Sequence, residues 1–218
     1  MPSMGLVRRL LALGLVLAMA GTGAALAARG DPEERFTKAD QARAKAMLLR
    51  AADLGPTFAA SPSTQTDGDF YCRALDESDL TITGKAESPR FSGGGVFVTS
   101  TAYVYESVAD SNASWRRGTS AAGQQCLREG LRRELRGTSV QLRFFGKLAF
   151  RRLGGRSVVY RAVAVQRGVR IYLDLLAIQQ TRAQAAVILG SGLVPPPRSV
   201  ELQLGRLVAG RMAKAMRS

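Results

Sequence analysis

An alternating stretch followed directly by a helix start constrains the fold of this chain more than any other feature. Over Val96–Tyr105 small side chains alternate with larger ones, the pattern of a β-strand with two different faces. Ser107 and Asp110 have the spacing of a capping box, which predicts that a helix begins there. The helical pattern runs on through Cys126, with a break expected near Gly118 because glycine weakens a helix by about 1 kcal/mol relative to alanine. The rest of the chain should pack onto this strand and helix.

Local patterns predict the remaining elements. Upstream, Thr37 and Asp40 open a helix that should run to Gly55-Pro56, the sequence LTITGKA forms a short strand, and residues 88–95 form a flexible connector. Downstream, the patterns predict a strand over 140–150, strands over Val158–Gln166 and Val169–Gln179, a buried strand over Gln184–Leu189, and a final basic helix capped by Ser199. The whole predicts an α+β domain, with a mainly antiparallel β-sheet of about five to six strands packed by helices.

A tight hairpin at Arg167-Gly168 gives the most specific structural prediction. Two strand patterns are separated there by these two residues, so the cross-strand register is fixed. Val163 should lie opposite Tyr172, and Arg161 opposite Asp174. This face is apolar apart from the charge pair, which makes Arg161, Tyr172 and Asp174 the candidate ligand-binding residues. An ordinary cross-strand ion pair at the sheet surface is the alternative interpretation.

The N-terminus has the three parts of a secretory signal peptide. Arg8 and Arg9 form a basic region, residues 10–20 an apolar region, and Ala25-Leu26-Ala27 a cleavage site. We therefore expect residues 1–27 to be a signal peptide, 28–35 a flexible N-terminal segment, and 36–218 one domain. An uncleaved anchor and twin-arginine export are the alternatives. The expected location is extracytoplasmic, either secreted or associated with the cell envelope.

Export determines how the two cysteines are interpreted. In an oxidising compartment Cys72 and Cys126 most simply form a disulfide. A reactive or redox thiol is the alternative, but the chain has no CxxC spacing.

A strong positive charge points to anionic partners. Beyond residue 27 the chain has 29 basic and 17 acidic residues, a net charge of +12, and arginines are frequent from Arg116 to Arg170. The expected partner is an anionic envelope component, such as a lipid head group or wall polymer, or a small-molecule ligand. The alternative is that a GC-rich genome simply encodes arginine at solvated positions. Nucleic acid is not expected, because export removes the usual targets and no recognition motif is present.

The absence of histidine excludes several kinds of chemistry. Ser-His-Asp and Cys-His hydrolases, as well as histidine-ligated zinc or haem, all need that side chain. A paired-carboxylate glycosidase needs a second acid facing Asp174, and the sequence indicates none. The acidic run Asp76–Asp79 lacks the register of a calcium loop. We therefore expect no catalytic residue, no metal site and no cofactor.

The arrangement resembles the extracellular sensor domains of actinobacterial receptor serine/threonine kinases (PknH-like) and related secreted or lipoprotein domains. Three features carry the resemblance: the opening helix ending in Ala51-Ala52-Asp53-Leu54, the passage from Val104-Tyr105-Glu106-Ser107 to Cys126, and the closing basic helix. The resemblance implies a central antiparallel sheet with a cleft beside it. It also implies ligand binding or envelope sensing without catalysis. A basic structural protein that adheres to the envelope by charge alone is the alternative function, and a hydrolase that works without histidine is a less favoured one.

Overall fold

The computed structural model describes residues 30–63 and 71–217, which form one nine-stranded sheet and four α-helices. The elements in chain order are β1 (Glu33–Glu34), α1 (Lys38–Met47), β2 (Ala59–Ser61), β3 (Thr81–Glu87), β4 (Arg90–Gly93), β5 (Val96–Tyr105), α2 (Val108–Thr119), α3 (Ala121–Glu134), β6 (Val140–Leu148), β7 (Arg156–Gln166), β8 (Val169–Gln180), β9 (Ala183–Gly192) and α4 (Arg198–Ala215). The predicted α+β class is confirmed. The predicted strand number was too low.

The sheet is mainly antiparallel, with the order β1-β3-β5-β9-β8-β7-β6 and with β4 and β2 attached beside β5. Among the described strands only the short pair β1 and β3 runs parallel. The strands missing from the prediction are β1, β2 and β4, each two to four residues long. Strand β4 lies in the segment predicted as a flexible connector. Gly94 and Gly95 both have positive φ and turn the chain, so that the buried Phe91 pairs with Val98.

The central strand and helix form as predicted. Strand β5 spans Val96–Tyr105, and the Ser107 hydroxyl accepts a hydrogen bond from the Asp110 amide at 3.0 Å to start α2. The helical stretch breaks just after Gly118, where Ser120 ends α2 and caps α3 by accepting from the Gly123 amide at 2.9 Å. Cys126 in α3 forms a disulfide with Cys72, with the two Cα atoms 6.1 Å apart. The bridge ties α3 to the turn that precedes β3.

The β7–β8 hairpin also has the predicted register. Arg167 and Gly168 form its turn, both with positive φ, and Gln166 pairs with Val169. Val163 lies opposite Tyr172 and Arg161 opposite Asp174. The first helix, in contrast, is shorter than predicted. It ends at Met47 because Leu48 is already extended, and a separate 3₁₀ turn follows at Ala51–Asp53.

Helices cover both faces of the sheet. On one face α1 and α4 bury Met47, Leu204 and Val208 against strand residues such as Val187. On the other face α3 packs Leu127 and Leu131 against β6, β7 and β8. The final helix therefore packs on the sheet, as its apolar stripe predicts. The predicted Ser199 cap was wrong, because α4 begins at Arg198 with Pro197 at its N-cap and Ser199 lies inside the helix.

The predicted signal peptide and the alternative anchor lie outside the described residues. Glu33 and Glu34, within the predicted flexible segment, pair with Thr81 and Ile82 of β3. No helix in the described ranges has the length and apolar character needed to cross a bilayer.

Candidate functional site

The three predicted site residues come together under the start of α4. Asp174 is fully buried, and Arg161 donates to it from Nε at 2.7 Å and from Nη2 at 2.5 Å. The Arg161 guanidinium carbon lies 6.0 Å from the centre of the Tyr172 ring. Tyr172 is only 9% exposed, so the group is part of the packed interior.

Two residues of α4 close this cluster from above. Glu201 is fully buried and accepts from Arg161 Nη2 at 3.3 Å and from Arg198 Nη1 at 2.7 Å. The charges therefore alternate along a chain from Asp174 through Arg161 and Glu201 to Arg198. A ligand could reach Asp174 only if the first turn of α4 moved. As a ligand site, Arg161, Tyr172 and Asp174 stay a prediction.

Glu201 is the acidic partner that the sequence did not reveal for Asp174. Burial, followed by hydrogen bonding to the Asp174 carboxyl, raises the pKa of Glu201 to about 7, and Arg198 opposes this rise. The two carboxyl groups do not face each other across an open cleft, because Arg161 joins them and both are fully buried. The arrangement lacks the accessible geometry of a glycosidase site.

A second charge cluster joins α1 to the sheet. The Asp40 carboxylate is occupied by side chains. It accepts hydrogen bonds from Arg182 at 2.7 and 2.8 Å, from the Thr83 hydroxyl at 2.6 Å and from Arg43 at 2.8 Å. The hydrogen bonds from Arg182, Thr83 and Arg43 hold the pKa of Asp40 well below its usual range despite the opposing effect of burial. Every one of these contacts is internal, and the cluster serves as a structural joint.

The net charge is confined to one part of the fold. Residues 116–182 contain fifteen basic and three acidic residues, while the rest of the chain beyond residue 27 contains fourteen of each. This segment, called here the basic half, carries α3 and the neighbouring strands β6, β7 and β8. One of its three acids, Asp174, is neutralised internally by Arg161. A genome-wide preference for arginine would raise the charge everywhere and does not explain this segregation.

A hollow of about 230 Å³ lies where the basic half meets the start of α2. It is called here the arginine hollow. Its lining comprises Val108, Asn112, Arg152, Gly155, Arg156, Gln179 and Thr181, a set without any carboxylate.

Local hydrogen bonds orient the donors around the arginine hollow. Arg152 Nε donates to the Gly155 carbonyl at 2.7 Å, which holds the guanidinium and leaves its terminal nitrogens available. The buried Gln179 Nε2 donates to the Ser111 hydroxyl and to Asn112 Oδ1, each at 3.0 Å. Since Asn112 uses its oxygen inward, its amide nitrogen is the atom left for the hollow. Arg156 is exposed and forms no ion pair within the described residues.

The hollow is thus suited to an anion. Two guanidinium groups and an amide nitrogen can donate into it, and the N-terminal end of α2 borders it at Val108. Sequence reasoning noted the arginines but missed the hollow, because α2 and the loop before β7 are distant in the chain. The Gly154-Gly155 turn, which shapes that loop, was the available signal.

The described ranges 30–63 and 71–217 contain no group of three or more cysteine, aspartate or glutamate side chains placed to hold a metal ion. In the acidic run, Asp76 accepts from the Ser78 hydroxyl at 2.7 Å and from the Tyr71 hydroxyl at 2.9 Å. These contacts are those of a solvated turn.

Comparison with protein-family models finds no match, and comparison with curated proteins finds none either. Several solved structures resemble the fold, among them two mycobacterial proteins. The extracellular domain of PknH from Mycobacterium tuberculosis matches with a TM-score of 0.45 and 8% identity, over 82% of this chain and 97% of that chain. The Rv0999 ortholog from Mycobacterium smegmatis matches with a TM-score of 0.42 and 16% identity, over 82% of this chain and 98% of that chain. The chain is similar to both structures in the arrangement of its elements.

Proposed function

We propose that this protein is an extracytoplasmic, non-catalytic binding domain that holds an anionic component of the cell envelope on its basic half, seated at the arginine hollow. The observation that carries the proposal is the segregation of charge. Residues 116–182, with fifteen basic and three acidic residues, account for the whole net charge of +12 that the chain has beyond residue 27. A polyanion would be attracted to this basic segment. The sensor-like domain predicted from the sequence has to bind a component of the cell envelope, and an anionic component would meet that requirement.

The arginine hollow supports a seat for one anionic group within this broad attraction. Arg152 is held by the Gly155 carbonyl, so its guanidinium loses little conformational freedom when it binds. The group formed by Arg161, Tyr172 and Asp174, called here the trio under α4, is less suitable as an anion site. Arg161 already has Asp174 and Glu201 as partners. The predicted signal peptide and the Cys72–Cys126 bridge support a location outside the cytoplasm.

Titration with sodium polyphosphate, a soluble polyanion, tests the proposal. The full chain would be expressed with its own leader, purified after export, and titrated at several salt concentrations. We expect the double variant Arg152→Gln/Arg156→Gln to bind about tenfold more weakly, since charge-assisted hydrogen bonds to an anion are lost. The matched control is Arg206→Gln/Arg217→Gln, which removes two exposed arginines from the neutral part of the chain.

The outcomes separate three interpretations. A larger loss of polyphosphate affinity in Arg152→Gln/Arg156→Gln than in the control variant supports the arginine hollow as the binding site. Equal losses that vanish at high salt would instead favour adhesion by overall charge alone. Loss of polyphosphate binding in Tyr172→Ala would place the binding site at the trio under α4. Absence of binding by the wild-type protein would contradict the proposal altogether.

A further inference from the structure

Two neighbouring apolar side chains project from the loop between β9 and α4. Leu193 is 73% exposed and Val194 is 67% exposed, the two largest exposures among the large apolar side chains of the described ranges. The pair is called here the apolar tip. It lies beside the β7–β8 hairpin, because the Leu193 amide donates to the Arg170 carbonyl at 3.0 Å.

Folding does not favour leucine at this position. Leu193 has a φ of +71°, and the Val194 amide donates to the Gly192 carbonyl at 2.9 Å across it. This is a γ-turn of the strained kind, rare for any residue and unfavourable for a bulky one. Leucine gains no burial here, while glycine would relieve the backbone.

The strained loop is nevertheless held firmly. The Ser191 hydroxyl donates to the Val194 carbonyl at 2.6 Å, in addition to the two backbone hydrogen bonds of the turn. Pro195, Pro196 and Pro197 follow at once and restrict the backbone further. The two apolar side chains are therefore presented in a fixed direction.

Positive charge lies on one side of the apolar tip, toward β8, β7 and β6. Arg167 and Arg170 are exposed on the adjoining hairpin, and neither forms an ion pair within the described residues. Arg136 is exposed in the loop before β6, whose first residue pairs with Gln166 at the same end of the sheet. The loops that meet at this end, residues 94–95, 136–139, 167–170 and 193–197, contain no acidic residue.

We propose that the apolar tip inserts into the interface of a lipid bilayer with anionic head groups, while Arg136, Arg167 and Arg170 contact the head groups around it. Exposed apolar side chains next to exposed arginines match the two layers of such an interface. The inference rests on the proposed attraction of the basic half to anions, and it adds that one anionic partner is a lipid surface. It also fixes an orientation, with the hairpin end of the sheet toward the bilayer.

Leu193→Asn is the informative substitution. It removes the apolar side chain at a position where leucine is 73% exposed and contributes no burial, so the protein should remain folded. The exported protein would be co-sedimented with vesicles of phosphatidylglycerol and phosphatidylcholine, and separately titrated with polyphosphate. We expect about tenfold weaker vesicle binding, equivalent to about 1.4 kcal/mol, with unchanged polyphosphate binding.

Phe36→Asn serves as the matched control, because Phe36 is an apolar side chain, 44% exposed, in the neutral part of the chain. It should leave vesicle binding unchanged. Equal binding of wild type and Leu193→Asn to the vesicles would overturn the inference. A wild-type dimer that Leu193→Asn dissociates, seen by sedimentation velocity, would overturn it in favour of a second copy of the chain. If the wild-type protein bound neither the vesicles nor polyphosphate, the result would contradict the proposed function on which the inference rests.

Discussion

Removing Asp174 should be one of the most damaging single changes in this protein. The Asp174→Asn substitution keeps the shape of the side chain but takes away the negative charge that faces Arg161. Breaking a buried ion pair by removing one partner costs about 3–5 kcal/mol. Arg161 keeps 19% exposure of its side chain and retains Glu201 at 3.3 Å, so the lower end of that range applies. We expect a loss of about 3 kcal/mol in the free energy of unfolding, or about 6–12 °C in Tm.

Urea unfolding monitored by circular dichroism measures this loss. The matched control is Asp79→Asn, because Asp79 also pairs with an arginine, Arg117, at 2.6 Å but keeps 63% exposure of its side chain. An exposed pair of this kind contributes at most about 1 kcal/mol. The reasoning would be refuted if Asp174→Asn cost less than about 1 kcal/mol, or no more than the control.

Two further predictions concern acid stability and the disulfide. Because Arg182 keeps the pKa of Asp40 low in the folded protein, the stabilisation is present above the unfolded value of about 4 and is lost as the pH falls below it. Asp40→Asn should therefore flatten the decline of unfolding free energy between about pH 4 and pH 2 in acid titrations, and an unchanged slope would argue against this assignment. Reducing the Cys72–Cys126 bridge, which spans a sequence separation of 54 residues, should lower the free energy of unfolding by about 4 kcal/mol, because the unfolded chain regains the entropy of that loop. Urea unfolding with and without reductant measures this loss, and a loss under about 1 kcal/mol would contradict the explanation.

Features set by short-range chemistry were predictable from the sequence. Arg167-Gly168 is a turn of two residues with positive φ, and such turns fix the register of both flanking strands. The Thr37 and Ser107 caps start their helices through contacts three residues along the chain. Each of these depends on neighbours in sequence, which is why a pattern can reveal it.

Features set by long-range packing were not predictable. Strand β4 was interpreted as a connector because Phe91 is followed by Ser92 and three glycines at 93–95. Its stability comes from burying Phe91 against a distant core. Glu201 reaches Arg161 across 40 residues, so no local spacing indicates the contact. The arginine hollow likewise needs Asn112 and Arg156 to meet in space. Sequence therefore predicted the pairing of Arg161 and Asp174 and the presence of a final helix, but not the contact between Glu201 of that helix and Arg161.

Hydrogen–deuterium exchange of the exported protein, with and without sodium polyphosphate, tests the central claim most directly. We expect slower exchange within residues 116–182, most of all in the loop that carries Arg152 and at the start of β7, together with the first turn of α2. Exchange in α1 and α4 should not change. Protection confined to α1 and α4, or no protection anywhere in the presence of the polyanion, would contradict a binding role for the basic half.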